Sequence, residues 1–583
     1  MKYISKILVF LLAGVLITSC GKDFLNYQPQ GVVTQEEVST SGNVDKLVIA
    51  AYAGITNDEM IGPMTSMWVY GSVRSDDSYK GGGGVDDVGD VNKYEQYYLT
   101  TPDQGGSDWM APRTWTNYYK AISRINLALA AANGLDVAQY PTKAATQAEL
   151  RFLRGHCYFM MKRLFNKVPF IDETMNEETI LKTSNDLSND ALWNKIAEDF
   201  QFALTNLPET QSQVGRANKY AAAAYLAKTR LYQAYEQDEN HNVTTINPTR
   251  LQEVVDLTGQ VLGHYSLQPD YGQNFLDGFD NGVESIFAAQ FSLNDGTEAG
   301  RASYVTGLNS PTGTPAYGCC DFHKASQNMV NAFKTDANGL PMFDNFNDVD
   351  MVEPADFQAN GIDPRLDHTV GVPGHPFKYR SDLINGNSMI YQESWARVPG
   401  VYGFFSNMKE QQAPDCACYF KKGPFMGTSK NIDFIRYGDV LLMRAEALIQ
   451  LNRQAEALPL INQIRARAKA STTMTKLADG SNPSNYRIDE YKDGVNINWT
   501  KENAWKALMF ERRLEFGMEG DRFFDLVRWG IAAETLNAYL AVEKSKRDFL
   551  SYAHFTKGRD EYYPIPQREI TFTKGLYHQN PGY

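Results

Sequence analysis

Apolar positions along most of this chain recur at helical spacing. The pairs Ala504–Leu508 and Trp505–Met509 stand four residues apart and predict a helix running into residues 511–530, ERRLEFGMEGDRFFDLVRWG. Gly517 and Gly520 supply the backbone freedom of a tight turn, and a second short helix follows with Phe523, Phe524 and Val527 on one side. The same spacing predicts helices over 44–55, 115–132 and 146–165, the last stopped before Pro169. From Asp190 the helices come in pairs: 192–207 ending at Pro208, 218–236, 250–263, then 433–451 with 454–470. Ala221, Ala222, Ala223 and Ala224 in the second of these let a neighbour approach closely. Residues 444–457, RAEALIQLNRQAEA, resemble a tetratricopeptide hairpin. Such hairpins stack to close a core that no single pair closes.

Two stretches carry no period. Residues 68–109 hold Arg74, Asp76, Asp77, Tyr79 and four consecutive glycines at 81–84, so they read as loop. Residues 266–430 are rich in Gly, Pro, Asn, Asp and aromatics, with one short strand near 284–291. The expected fold is mostly α: a tetratricopeptide-like helix-hairpin scaffold (about 40–265 and 431–583) with a large loop-rich insertion (about 266–430) and a few short strands. Irregular tissue on a rigid frame is where recognition resides.

Charge changes the picture in one place. Residues 511–530 interleave Glu511, Arg512, Arg513, Glu515, Asp521, Arg522, Asp525 and Arg528 with aromatics. Such a mixture packs only when the charges pair or stay wet, so it reads as a fold-holding ion-pair and aromatic junction. The stretch looks like the C-terminal hallmark of the SusD/RagB family of outer-membrane, nutrient-binding lipoproteins. A second hallmark closes the chain: YPIPQREI at 563–570, then QNPGY at 579–583.

At 43% hydrophobic and 21% charged, the chain has ample material for a large core. Formal charge is −13, or −15 without Lys2 and Lys6 of the leader, which makes nucleic acid and anionic headgroups poor partners. Those lysines form a basic n-region ahead of an apolar run at 7–17, too short to span a bilayer. Leu16-Ile17-Thr18-Ser19-Cys20 resembles a bacterial lipobox. Residues 1–19 are therefore expected to be a signal peptide, with Cys20 acylated as the first mature residue; two or three chains anchor stably. A tether at 23–40 follows.

Sugar rings offer apolar faces and polar edges, so their sites combine aromatic platforms with Asn, Asp and Arg. Three clusters have that composition: Trp68, Tyr70, Arg74, Asp76, Asp77 and Tyr79; Tyr304, Asn309, Tyr317, Cys319, Cys320 and Asp321; and Trp395, Arg397, Tyr402 and Phe404. Trp109 joins them as a ligand candidate. Asp86, Asp87 and Asp90 lack EF-hand spacing and read as solvated loop acids. Adjacent Cα atoms stand about 3.8 Å apart, so a Cys319–Cys320 bridge is strained, yet it makes a rigid apolar bump usable as a platform. A cross-link from 319/320 to Cys416/Cys418 stands level with it, and Cys157 is expected to be a buried thiol.

No HExxH, GxSxG, GxxxxGK[ST] or GxGxxG is present, and the eight His lack metal-ligand spacing. No catalytic residue, metal or cofactor is assigned. The family resemblance implies a surface-exposed lipoprotein that captures oligosaccharide and delivers it to a TonB-dependent SusC-like transporter. The competing classes are a surface glycosidase or peptidase, whose paired carboxylates have no local signature, and a repeat scaffold for protein assembly.

Overall fold

The computed structural model describes residues 40–56, 59–100, 109–296 and 301–583. The leader, Cys20 and the tether as far as residue 39 lie outside the described residues. Helices take 43% of the chain and strands 11%, which makes the fold mostly helical.

The scaffold is a chain of helices, each packed on the next. These are α1 (Ser41–Ile55), α2 (Met110–Asn133), α3 (Lys143–Phe165), α4 (Asn189–Asn206), α5 (Lys219–Ala234), α6 (Pro248–Gly259), α7 (Tyr437–Gln450), α8 (Gln454–Ala470) and α9 (Lys501–Phe516). Local chemistry sets their ends. The Ser188 hydroxyl caps α4 by accepting from Ala191 N at 3.2 Å, and Asn218 caps α5 by accepting from Ala221 N at 2.9 Å. Four successive alanines of α5 are fully buried between α4 and α6, where larger side chains would force the helices apart. Gly155 lets α3 press on α4: a Cβ there would meet the Phe200 ring at 3.0 Å. Buried inside this layer are the free thiol of Cys157 and His156, whose Nδ1 pairs with the Tyr225 hydroxyl at 2.9 Å.

Helix α6 packs directly on α7, so the whole insertion is looped out between two touching helices. Among the described residues every sheet is two-stranded. The strands that matter here are β1 (Ser78–Gly81), β2 (Ser285–Ala289), β3 (Phe322–Ala325), β4 (Tyr419–Lys422), β5 (Phe425–Thr428) and β6 (Ile432–Arg436). β6 corrects an expectation, because residues 433–436 were read as helix. Ile432, Phe434 and Arg436 instead extend along β2, which offers a free edge, and the helix waits until Tyr437. The helix expected at 218–236 likewise stops at Ala234, since Tyr235–Gln237 pairs with Val243–Ile246.

The segment 511–530 ties frame to insertion. It forms the end of α9, a turn, and α10 (Arg522–Arg528). Buried Glu511 accepts from Arg365 Nη2 at 2.8 Å and from Tyr491 Oη at 3.1 Å, and it pairs with Arg465. Buried Glu515 accepts from Arg436 Nη1 at 2.6 Å and pairs with Arg467 and Arg365. Glu284 closes the circuit at 2.8 Å from Arg436 and 3.0 Å from Arg467. The turn after α9 packs on the backbone of a π-helical turn, Trp68–Ser72; a Cβ on Gly71 would overlap the Gly520 carbonyl oxygen.

Candidate functional site

Antiparallel pairing of β1 with β3 (Ser78↔Ala325, Gly81↔Phe322) joins two of the three clusters singled out in the sequence. It carries the glycine run onto Cys319-Cys320, and Gly82 N donates to Asp321 O at 3.0 Å. Glycine is required here. Gly82 has φ +79°, and a Cβ on it would drive into the Phe322 ring. The third cluster arrives through Arg397. Its backbone N–H donates to Asp321 Oδ2 at 2.7 Å, and its guanidinium reaches Asp87 Oδ2 at 2.9 Å and Cys320 O at 3.3 Å. Asp87 Oδ2 also accepts from Gly83 N at 2.7 Å, and Lys324 Nζ sits 2.9 Å from Asp321.

The result is an open surface. Arg397 and Asp87 keep 39% and 34% of their side chains exposed, and Gly83, Val85 and half-buried Cys319 lie beside them. Cys319 is joined to Cys320, and Cys416 to Cys418, so the long cross-link is not formed. A hairpin of β4 and β5, turning through Gly423-Pro424, borders the disulfide: Cys319 N donates to Pro424 O at 2.9 Å. Half-buried Tyr304 meets Phe420 of this hairpin edge-on at 5.2 Å, under the Lys422 ammonium at 5.5 Å from its ring.

Most aromatics and charges expected to contact ligand lie beneath this surface, and those assignments are corrected. Tyr317, Trp395 and Tyr402 are buried; Tyr317 packs on Phe377 at 5.5 Å and on Trp395 at 6.1 Å. Trp68 is buried against Phe322 and His323 and donates to Val305 O at 3.3 Å. Arg74 is sandwiched between the rings of Phe523 (4.7 Å) and Tyr563 (4.3 Å). Tyr79 donates to Glu543 at 2.6 Å, and burial raises its hydroxyl pKa. Asp77 accepts from Arg513 at 3.1 Å, and Asp76 from Arg522 at 2.9 Å. Burial alone would push the Asp76 carboxyl up, but Arg513 and Arg522 outweigh it and hold it below the usual range. All eight serve the core. Trp109 is 43% exposed ahead of α2 and takes no part in these contacts.

The sequence reading missed the β4–β5 hairpin and the pairing of Asp87 with Arg397. The hairpin had a signal: two short apolar-aromatic runs flanking a two-residue Gly-Pro turn, with Gly423 at φ +61°. The ion pair had none, since its partners stand 310 positions apart.

Chemically the surface offers a planar guanidinium, a carboxylate, exposed loop backbone, a sulfur face and aromatic edges. Such groups hold a polar, ring-shaped molecule. Comparison with known proteins gives this surface a context. The SusD family model matches residues 283–583, and a model described as "Starch-binding associating with outer membrane" matches 23–231. A SusD-like protein of Formosa agariphila is 22% identical over 580 residues, 98% of each chain. The starch-binding protein SusD of Bacteroides thetaiotaomicron is 25% identical over 484 residues, 77% of this chain and 75% of its own. A solved surface glycan-binding protein A from the same organism, in complex with laminarihexaose, superposes with TM-score 0.64 at 19% identity over 93% of this chain and 99% of its own. With one family model spanning the C-terminal half, including both terminal sequence hallmarks, the chain belongs to the SusD family.

Proposed function

We propose that this chain is a non-catalytic glycan-binding lipoprotein of the outer membrane, held at the cell surface by acylated Cys20. It captures oligosaccharide and passes it to a TonB-dependent SusC-like transporter. The observation that carries this reading is the meeting of the glycine loop, the Cys319–Cys320 face and the exposed Arg397–Asp87 pair on one open surface. A sugar ring can lay its C–H face on the sulfurs or on the edges of Tyr304 and Phe420. Its hydroxyls then satisfy Arg397, Asp87 and the backbone of Gly83. The names of relatives that bind starch and laminarihexaose support the ligand class. Among the described residues no helix is long and apolar enough to cross a membrane. Trp109 is kept as a candidate contact on the strength of its exposure.

Affinity electrophoresis through gels containing starch, laminarin, xylan, mannan or fructan tests the site. Arg397→Ala is expected to weaken retention about 10- to 100-fold, the worth of roughly 1–3 kcal/mol for a hydrogen bond to a charged group. Unchanged retention in R397A, D87A and Y304A together would remove this surface from consideration, and new reducing ends in any gel would make the protein an enzyme.

Mass spectrometry of the native N-terminal peptide is expected to show a diacyl or triacyl group on Cys20. A β-barrel is expected to accompany the protein from detergent extracts. An unmodified thiol at Cys20 would end the anchor proposal.

A further inference from the structure

A second cavity, of 590 Å³, opens in the scaffold where the α4–α5 connection, the residues after α6 and the start of β2 meet. Its size falls within the range of about 300–1,000 Å³ usual for small-molecule sites. Its charge is unusual. Charged residues make up 21% of the chain, yet Arg216 is the single Asp, Glu, Lys or Arg in the lining. Arg216 is already committed, with Nη1 3.2 Å from Oε1 of Glu149, whose Oε2 accepts from the Tyr52 hydroxyl at 2.8 Å. An ionic ligand would find no uncommitted countercharge.

An apolar ligand fits no better. Exposed Thr210, Gln213 and Ser266 belong to the lining, beside Gln211, whose Nε2 donates to Ala217 O at 2.6 Å, and covering the exposed three without partners is costly. Of the lining, His264 supplies one flat ring. Exposed His264 stacks on the Tyr220 ring, with centroids 3.9 Å apart and planes 23° from parallel. Next to it, the Tyr265 hydroxyl accepts from Asn218 Nδ2 at 2.9 Å. Asn218 is also the residue that caps α5, so this wall is fixed by the scaffold itself. Val214 and Val283 form apolar lips at 76% and 53% exposure.

We propose that this cavity is a second binding site, for a neutral polyhydroxylated chain, lined by both the helical frame and the start of the insertion and separate from the surface around Arg397. Neutral hydroxyls match amides and hydroxyls without needing a countercharge, and the C–H faces of a sugar ring match the exposed His264 ring and the valine lips. Two sites on one rigid body would let a long polymer engage both, so its affinity would exceed that of either site alone.

Isothermal titration with maltohexaose, laminarihexaose, xylohexaose and mannohexaose tests this. The variants are Val214→Arg with Val283→Arg, and separately Arg397→Ala. Both valines are exposed, so the fold tolerates the arginines, which close the mouth by bulk and charge. For a hexasaccharide that binds, the stoichiometry is expected to fall from two to one in V214R/V283R, and the surviving event is expected to be the one R397A weakens. Retention by the matching polysaccharide is expected to drop at least 10-fold in V214R/V283R. A stoichiometry of one that R397A abolishes and V214R/V283R leaves untouched overturns the second site alone. Silence toward all four probes overturns it together with the ligand class assigned to the first.

Discussion

Glu515→Gln is expected to lower the unfolding free energy by about 3–5 kcal/mol, the cost of removing one member of a buried charge network. Glu515 is fully buried and faces Arg436, Arg467 and Arg365. Burial by itself would favour the neutral acid, but the three guanidinium groups overrule it and hold its carboxyl well below the ordinary glutamate value. A glutamine keeps the shape and part of the hydrogen bonding while leaving three buried cations one negative charge short. Equilibrium urea unfolding of wild type and variant measures the difference. Lys506→Ala is the control: this lysine is 37% exposed and its partner Asp344 82%, so the change is expected to stay below about 1 kcal/mol. Equal effects of the two would mean the network contributes no more than a surface pair.

Acid is expected to unfold the protein steeply below about pH 4.5, and the sign follows from which state binds more protons. Glu515, Asp76 and Asp439 all have folded pKa values held below their ordinary ones. For Asp439 burial acts upward, while Lys228 and Arg512 more than reverse it. Below about pH 4 the unfolded chain protonates these carboxyls and the folded one does not. Stability contributed above that pH is therefore lost as pH falls toward the folded values. His156 acts in the same direction. Burial, with Arg163 nearby, lowers it to about 3, so the unfolded state takes its proton first, from about pH 6.5 downward. Each carboxyl protonated only in the unfolded state adds about 1.4 kcal/mol per pH unit, so the three together approach about 4 kcal/mol per unit below about pH 4. From about pH 4 to 2.5 this removes roughly 5 kcal/mol, enough to unfold a protein at the low end of the typical reserve of about 5–15 kcal/mol. Urea unfolding at pH 7, 4 and 2.5 measures the loss, and a stability unchanged between pH 4 and 2.5 would contradict it. Glu515→Gln should remove about one proton from the slope.

The frame was legible because its signals are local. The helix expected over 454–470 is Gln454–Ala470, and Pro208 follows α4 closely. The small residues of α5 are buried as their size requires. The charge pattern of 511–530 announced an ion-pair junction, which is what the segment forms.

Depth in the irregular segments was not legible. Arg74, Asp76, Asp77 and Tyr79 have the composition of a sugar site, but Asp76 and Asp77 are taken by Arg513 and Arg522 from the far end of the chain. No window of sequence contains both sides of such a pair. Trp395 and Tyr317 were drawn below the surface for a similar reason: the hydrogen bonds from Thr312 N and Gly313 N to Trp395 O, 3.2 Å each, fold one loop over the other. Arg397 stays outside only because its backbone, rather than its side chain, is anchored to Asp321.

The contact between α6 and α7 has one further consequence. The insertion departs and returns on helices that touch, fastened by the Arg444 guanidinium on the Val255 carbonyl. Its two ends are thus clamped whatever is threaded between them, and lengthening a closed loop costs only logarithmically. Arg365 of the insertion plugs into Glu511 and Glu515 on α9, and Glu284 into Arg436 of β6 and Arg467 of α8. Exposed stretches such as the β4–β5 turn can then change length at little cost, while Lys409 on Glu519, His368 on the Ser471 carbonyl and Asn328 on Arg513 keep the rest seated on the frame.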